Sequence, residues 1–260
     1  MAVKLTILGS GSSGNCAYIE TQEARVLVDA GFSPRQIRRR LAGIGRAPEN
    51  LTAILVTHEH SDHVNGLAGI AAKLNIPVYC NRDTKEAVEF QLRTRFNCHL
   101  FATGASFEIA DVVVDTFTIP HDAQDPVGFL LRTSAGNIAF ATDLGHMTKL
   151  VLDRLRAANV LVLESNHDVK MLQDCPHRPW SLKQRILGRH GHLSNEAAAA
   201  AAAQIMSADL RHLYLAHLSR ECNRPELAQY VMSERLDHIG ARHVRLQLAR
   251  QDAPCATLVL

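Results

Sequence analysis

The sequence predicts an α/β fold in which two β-sheets face each other and helices cover their outer faces, with residues 1–260 forming a single domain. Short apolar runs dominate the first half of the chain. They are rich in β-branched residues and most are bounded by Gly, Pro, Asn or Asp, as is typical of strands. In the second half, apolar runs alternate with helical segments, which favours sheets covered by helices. No low-complexity linker and no repeat of solenoid length divides the chain.

Nine apolar runs are predicted to be strands. In the first half they are Leu5–Leu8, Arg25–Asp29, Ala53–Thr57, Pro77–Cys80, Val112–Ile119, Val127–Arg132 and Ile138–Ala141. Two later runs, Val160–Glu164 and Leu213–Ala216, are apolar enough to predict strands that are buried on both faces.

Two helix starts are marked by their capping residues. Ser33 precedes Pro34, which gives a serine cap followed by proline in the first turn. Ser194 precedes a segment with seven consecutive alanines, Ala197–Ala203. Alanine is the strongest helix former, so this segment is predicted to be a helix. Its lack of bulky side chains indicates that it packs very close to a neighbour.

The composition is that of an ordinary soluble globular protein, with 47% hydrophobic and 21% charged residues. The net charge of +2 gives no general argument for nucleic-acid binding, which must therefore depend on a local patch. The sequence shows no signal peptide, and no apolar run approaches the roughly 20 residues that span a bilayer. The six cysteines are scattered without a C-x-x-C pair, which suits a reducing cytoplasm. The absence of a long apolar run predicts that the protein has no membrane partner.

A cluster of histidines follows the predicted strand Ala53–Thr57. His58 and His60 share one side of an extended chain, whereas Asp62 and His63 begin the next helix and are offset from them. One divalent cation can therefore take the first pair and a second cation the other pair. The alternative is a polar loop with three histidines by chance, and the H-x-H-x-D-H spacing argues against it.

This motif resembles the signature of the metallo-β-lactamase superfamily, whose fold is a four-layer αββα sandwich. Four further positions match that family in order: Asp29, His121, Asp143 and His217. The resemblance implies that one cation is held by His58, His60 and His121, a second cation is held by Asp62, His63 and His217, and Asp143 bridges the two. Asp62 would also act in catalysis. Cations about 3.5–4 Å apart polarise a substrate oxygen together.

The same resemblance implies roles for Asp29 and for the metal. Asp29 would hydrogen-bond a ligand histidine and fix its tautomer, although an aspartate there can also be a simple turn or capping residue. The ligand types fit Zn²⁺ first and also fit Mn²⁺.

His192 lies in the segment Gly191–Ser194, which resembles the G-H-x-[ST] motif of phosphodiesterase members of the family. A histidine there can donate a hydrogen bond to a phosphoryl oxygen or protonate the departing alkoxide. The alternative is a turn residue beside a helix cap.

The segment from Cys175 to Asn195 contains no acidic residue. Its basic side chains are Arg178, Lys183, Arg185 and Arg189. They predict a phosphate-binding patch that includes Arg185 and Arg189, or else one solvated helix face. Trp180, the single tryptophan, can stack on a base, but a buried packing role is favoured.

Three segments, Gly9–Asn15, His121–Phe129 and Glu164–Asp168, together resemble the WalJ/YycJ-like branch, described as 5′–3′ exonucleases of double-stranded DNA. They resemble PhnP-type cyclic phosphodiesterases more distantly. The resemblance implies a two-metal phosphodiesterase with DNA as its substrate. The residues predicted to line the site are Ser12, Asn15, Asn166 and His167. The alternatives are a hydrolase of a small cyclic phosphodiester, thioester or lactone, and a metal-stabilised binding module, which the complete ligand set disfavours. The sequence predicts no oligomeric state.

Overall fold

The computed structural model describes residues 2–260. Within this range, fourteen strands form two seven-stranded sheets that face each other. The strands are β1 (Lys4–Gly9), β2 (Cys16–Glu20), β3 (Arg25–Val28), β4 (Ala53–Leu55), β5 (Val78–Cys80), β6 (Cys98–Leu100), β7 (Ser106–Ile109), β8 (Val112–Thr118), β9 (Val127–Thr133), β10 (Gly136–Ala141), β11 (Val160–Glu164), β12 (His212–Ala216), β13 (Arg245–Leu248) and β14 (Leu258–Val259).

The order of the first sheet is β14-β1-β2-β3-β4-β5-β6, and the order of the second is β13-β12-β11-β10-β9-β8-β7. Each sheet has an antiparallel part and a parallel part. In the first sheet β3 to β6 are parallel, and in the second β10 to β13 are parallel. The carboxyl ends of parallel strands meet at one edge of a sheet, and this edge carries the site described below.

Eight α-helices accompany the strands in the described range. They are α1 (Pro34–Gly43), α2 (Ser61–Val64), α3 (Arg82–Leu92), α4 (Lys149–Leu155), α5 (Val169–Asp174), α6 (Trp180–Leu187), α7 (Asn195–Ile205) and α8 (Pro225–His238). None of the described helices is both long enough and apolar enough to span a membrane.

Three apolar layers hold the fold together. One joins the inner faces of the two sheets and includes Leu5, Phe129 and Tyr214. A second packs the outer face of the second sheet against α4, α7 and α8. The third packs the outer face of the first sheet against α1 and the segment that follows α2. This helix–sheet–sheet–helix order confirms the predicted αββα sandwich.

All nine predicted strands coincide with strands of the structure, and β11 and β12 are almost wholly buried. Both predicted helix caps are present: the side chain of Ser33 accepts from Gln36 N–H, and that of Ser194 accepts from Ala197 N–H. The alanine-rich helix α7 packs against α8, as its small side chains predict.

Candidate metal centre

Loops that follow strands of both sheets bring the predicted ligands to one edge of the sandwich. Asp29 follows β3, and the histidine motif follows β4. From the second sheet, His121 follows β8 and Asp143 and His217 follow β10 and β12. The two sheets face each other, so these loops meet across the edge.

Three of these residues have a backbone conformation that few residues other than glycine adopt. The φ angles are 60° for Asp29, 61° for Asp143 and 55° for His217. A left-handed conformation costs free energy for such residues and is concentrated at functional sites. In each case it turns the chain immediately after a strand end.

The side chains of the histidine motif form two clusters of ligand atoms. His58, His60 and His121 form one cluster, and Asp62, His63 and His217 form the other, with the atoms of each cluster within 4.8 Å of one another. The structure therefore brings together the two sets that the sequence predicts.

Asp143 lies between the two clusters. Its Oδ2 is 3.2 Å from His63 Nε2, and its Oδ1 is 3.1 Å from His217 Nδ1 and 3.9 Å from His121 Nε2. A carboxylate in this position contacts both predicted ligand sets, as a bridging ligand must.

Two buried atoms support the fit of a cation. His58 Nε2 and Asp143 Oδ2 are buried and have no hydrogen-bond partner among residues 2–260. Buried polar atoms are nearly always satisfied, so two orphans at one point indicate a missing partner. A divalent cation that prefers nitrogen and carboxylate ligands would satisfy both.

Burial and neighbouring charged groups set the pKa values of the histidines at this site. Burial and neighbouring His63 lower the pKa of His58 well below its usual value, which keeps this imidazole neutral and able to bind metal. Burial alone lowers the pKa of His63, but Asp143 and Asp29 outweigh it and raise that pKa well above its usual value. The carboxylates around His63 therefore favour a positive charge at this position, which a bound cation would supply in place of the proton.

Asp29 contacts a predicted ligand, as the sequence predicts. Its Oδ2 accepts from His63 Nδ1 at 2.7 Å, and its carboxylate also accepts from the backbone N–H and hydroxyl of Thr57. Because Nδ1 of His63 donates this bond, Nε2 is left for the cluster. Asn15 supports the same ring, with its Nδ2 3.0 Å from His63 Nε2.

Glu164 orients two histidines, a role that the sequence alone did not predict. Its fully buried Oε1 accepts from His192 Nδ1 at 2.8 Å and from His217 Nδ1 at 2.9 Å. Burial alone raises the pKa of Glu164, but His192 and the two hydrogen bonds lower it to about 2. An acid at the end of a strand that is otherwise wholly apolar was the signal that could have identified it.

A cavity of about 290 Å³ opens above the metal centre. Besides four of the predicted ligands, the predicted residues Ser12, Asn166, Arg178, Arg185 and His192 line it. Asn15 and Arg189 lie outside its lining, which corrects the prediction that they line the site; Asn15 is buried, and Arg189 bonds half-buried His146. His167 is also outside the lining, with only 1% of its surface exposed. The prediction that His167 lines the site is therefore corrected, because its ring is packed into the protein interior.

The basic stretch differs from the predicted phosphate-binding patch. Lys183 is buried and donates from Nζ to the carbonyl oxygen of Gln173 at 2.6 Å. Arg178 pairs with Glu221 at 3.0 Å, and Arg185 pairs with Asp122. The segment itself contains no acid, but the fold supplies acids from elsewhere in the chain.

Trp180 is 62% exposed, so the favoured interpretation of a buried packing role is wrong. It is the first residue of α6, and the structure leaves its ring in contact with solvent.

Comparison with known proteins gives matches over most of the chain. Residues 24–218 match the beta-lactamase superfamily domain. The chain is 37% identical to exodeoxyribonuclease YycJ of Bacillus anthracis over 92% of this chain and 91% of that protein. It is 38% identical to exodeoxyribonuclease WalJ of Streptococcus pneumoniae over 90% of this chain and 88% of that protein.

Solved structures share the fold at low sequence identity. A diphosphatase of the PhnP family covers the whole chain and 98% of its own length with a TM-score of 0.70 and 18% identity. The metallo-beta-lactamase fold protein YhfI from Bacillus subtilis likewise covers the whole chain and 99% of its own length, with a TM-score of 0.72 and 14% identity. The chain belongs to the metallo-β-lactamase superfamily.

Proposed function

We propose that this member of the metallo-β-lactamase superfamily is a two-metal-dependent phosphodiesterase that acts on DNA as a 5′–3′ exonuclease. The observation that carries the proposal is the similarity to two exodeoxyribonucleases along about nine tenths of the chain. The two clusters of ligand atoms support it, because they offer the side chains that a dinuclear hydrolase needs.

The residues that would hold the cations are the seven predicted ligands. His58, His60 and His121 would hold one cation, and Asp62, His63 and His217 would hold the other, with Asp143 shared. When bound, two divalent cations supply a nucleophile from water at neutral pH and offset the charge that develops on a phosphoryl group.

His192 would donate a proton from Nε2 to the departing oxygen of the substrate and keep the proton on Nδ1. Its Nδ1 donates to Glu164, which leaves Nε2 as the nitrogen available to the cavity that His192 lines. Glu164 acts as a positioning residue, because it fixes the ring orientation and the tautomer. Asp62 lines the same cavity, so its predicted share in catalysis remains part of the proposal.

Ser12, Asn166 and Arg185 would contact the substrate directly. Arg185 is paired with Asp122. It would either leave Asp122 to bind a phosphate oxygen, or bind the phosphate oxygen at the cavity wall while it stays paired with Asp122. Asn15 would act on the site through His63 and Asp62, whose atoms its amide approaches within 3.3 Å.

The metal and the compartment are finer parts of the proposal. Nitrogen and carboxylate ligands favour Zn²⁺ and also suit Mn²⁺. All six cysteines are free in the structure, which supports a reducing compartment such as the cytoplasm.

A substrate panel on metal-loaded protein tests the proposal. It contains 5′-phosphorylated duplex DNA with either end blocked, bis-p-nitrophenyl phosphate, a thioester and a lactone. We expect mononucleotides to be released from an open 5′ end and not when that end is blocked. Rapid turnover of the thioester or the lactone with intact DNA would contradict the proposal.

A further inference from the structure

A second cavity adjoins the metal centre. It has a volume of about 350 Å³ and meets the metal cavity at Ser219, which lines both. The loop after β1 separates them, with Ser12 facing the metal cavity and Ser10 facing the second one. The two cavities are therefore neighbours, and a chain of nucleotides with a phosphodiester at the metal centre would reach the second cavity past Ser219.

The wall of this cavity combines apolar and polar groups. Leu218, Pro225 and Leu248 supply apolar surface, and Asn223 and Gln251 supply amides. A nucleobase has apolar faces and a polar edge, so this lining suits a nucleoside better than a bare phosphate or an acyl chain.

Gln251 has an unused hydrogen-bonding group in this wall. Its Oε1 is buried without a partner among the described residues. The side chain lies against Gly11, where a Cβ atom would fall 2.7 Å from that oxygen, and the backbone carbonyl of Gln251 accepts from Arg40 at 2.8 Å. Because Oε1 is packed against Gly11, the amide of Gln251 would reach the edge of a base in this cavity through its NH₂ group.

The free cations near the metal centre belong to the second cavity. Arg220 and Arg250 are exposed in its lining, and within residues 2–260 no carboxylate lies within 4 Å of either guanidinium group. In contrast, Arg178 and Arg185 on the wall of the metal cavity are each paired with a carboxylate. A guanidinium group without a partner can bind a phosphate with two parallel hydrogen bonds.

Two carboxylates, Glu226 and Asp252, line the same cavity. These carboxylates would repel a ligand that carries negative charge along its whole length. They can also accept hydrogen bonds from the amino group of a base. The charges therefore favour a ligand with one anionic end at the arginines and a neutral, hydrogen-bonding body.

We propose that the second cavity is a nucleotide subsite, which holds the base and sugar next to the phosphodiester at the metal centre. Arg220 and Arg250 bind the phosphate that flanks this nucleotide. The inference rests on the proposed action on DNA and assigns the part of the protein that selects a polynucleotide over a small diester.

The first test measures binding of 5′-phosphorylated duplex DNA with phosphorothioate linkages, which resist cleavage, at several salt concentrations. The variant is Arg220→Ala/Arg250→Ala, and the control is Arg242→Ala/Arg245→Ala, which removes two exposed arginines outside both cavities. Each lost phosphate contact lowers the steepness of log affinity against log salt by about 0.9. We expect a decrease of about 0.9 for the variant, which loses the one phosphate contact that the two arginines share, and none for the control. Equal slopes in the variant and the wild type would overturn the proposal.

The second test asks whether the cavity takes a base, and it does not depend on DNA cleavage. Deoxyadenosine 5′-monophosphate and deoxyribose 5-phosphate compete with hydrolysis of bis-p-nitrophenyl phosphate. We expect the nucleotide to inhibit at an about tenfold lower concentration, the fold-change of one net hydrogen bond between the cavity wall and the base. Equal inhibition would overturn the subsite. A wild type that leaves DNA intact would overturn the proposed function, while this competition still decides the role of the cavity.

Discussion

Replacing Glu164 by glutamine is expected to impair catalysis more than folding. Each carboxylate oxygen accepts two hydrogen bonds: Oε1 from the Nδ1 atoms of His192 and His217, and Oε2 from the backbone N–H groups of Leu144 and Leu193. Glutamine has one oxygen and one NH₂ group. Whichever position the NH₂ group takes, it faces two N–H donors.

The expected loss of turnover in Glu164→Gln depends on how the two backbone N–H donors and the two histidine donors respond to the new NH₂ group. Backbone N–H groups cannot change, and a buried donor without a partner costs about 1–3 kcal/mol, so the NH₂ group should turn toward the histidines. The histidines can then accept at Nδ1, but only by moving the proton to Nε2. His192 could not then give the Nε2 proton to the departing oxygen, because a ring without a proton on Nδ1 would be left as an imidazolate. We therefore expect kcat to fall by about 10²–10⁴-fold, the usual contribution of acid–base catalysis.

The assay measures turnover of bis-p-nitrophenyl phosphate, bound metal and the free energy of unfolding for Glu164→Gln, His192→Ala and the double variant. Glu234→Gln, at an exposed position on α8, is the matched control. If Glu164 acts on catalysis through His192, the double variant should be little slower than His192→Ala when turnover is compared per bound metal ion, because Glu164 also hydrogen-bonds the metal ligand His217. Full turnover of Glu164→Gln, or fully multiplicative losses in the double variant, would refute this reasoning.

Three further predictions concern the site and the stability of the first sheet. His192→Ala should keep its metal but lose about 10²–10⁴-fold in kcat. Unchanged turnover with full metal would mean that His192 is only a turn residue beside a helix cap. Asp143→Asn should lower metal occupancy in both clusters by elemental analysis, since Asp143 contacts both; loss of only one ion would contradict a bridging role. Glu20→Gln should lower the free energy of unfolding by about 1.5–3 kcal/mol at pH 7, because Arg46 hydrogen-bonds Glu20 and lowers its pKa to about 2. This stability is present above pH 4.5 and lost as the pH falls toward 2, so a difference between variant and wild type that stays constant down to pH 2.5 would contradict it.

The histidine motif could be predicted because its information is local: His58, His60 and His63 follow one strand at fixed spacings, in a loop and in α2. His121, Asp143 and His217 lie far apart in the sequence and were predicted only through the family resemblance. The αββα fold was predictable for a similar reason, since most strands are short apolar runs between turn residues. Five strands, each two to five residues long, were not predicted; Cys16–Glu20 is one of them, and so short a run carries little periodicity.

Contacts between distant residues could not be predicted in the same way. Glu164 contacts histidines 28 and 53 positions away, so its role is visible only after the strands are assembled. Arg185 is paired with Asp122, 63 positions away, which is why a stretch without acids does not form a free basic patch. The exposure of Trp180 likewise depends on what α6 packs against, and not on the residue type.

The most direct test of a two-metal DNA exonuclease is the rate of DNA cleavage during titration of metal-free protein with Zn²⁺ or Mn²⁺. The rate of mononucleotide release from 5′-phosphorylated duplex DNA is measured against the number of ions bound per chain. We expect the rate to rise until two ions are bound and then to stay constant, because the two clusters and Asp143 form one site. A plateau at one ion per chain, or intact DNA with two ions bound, would contradict this account.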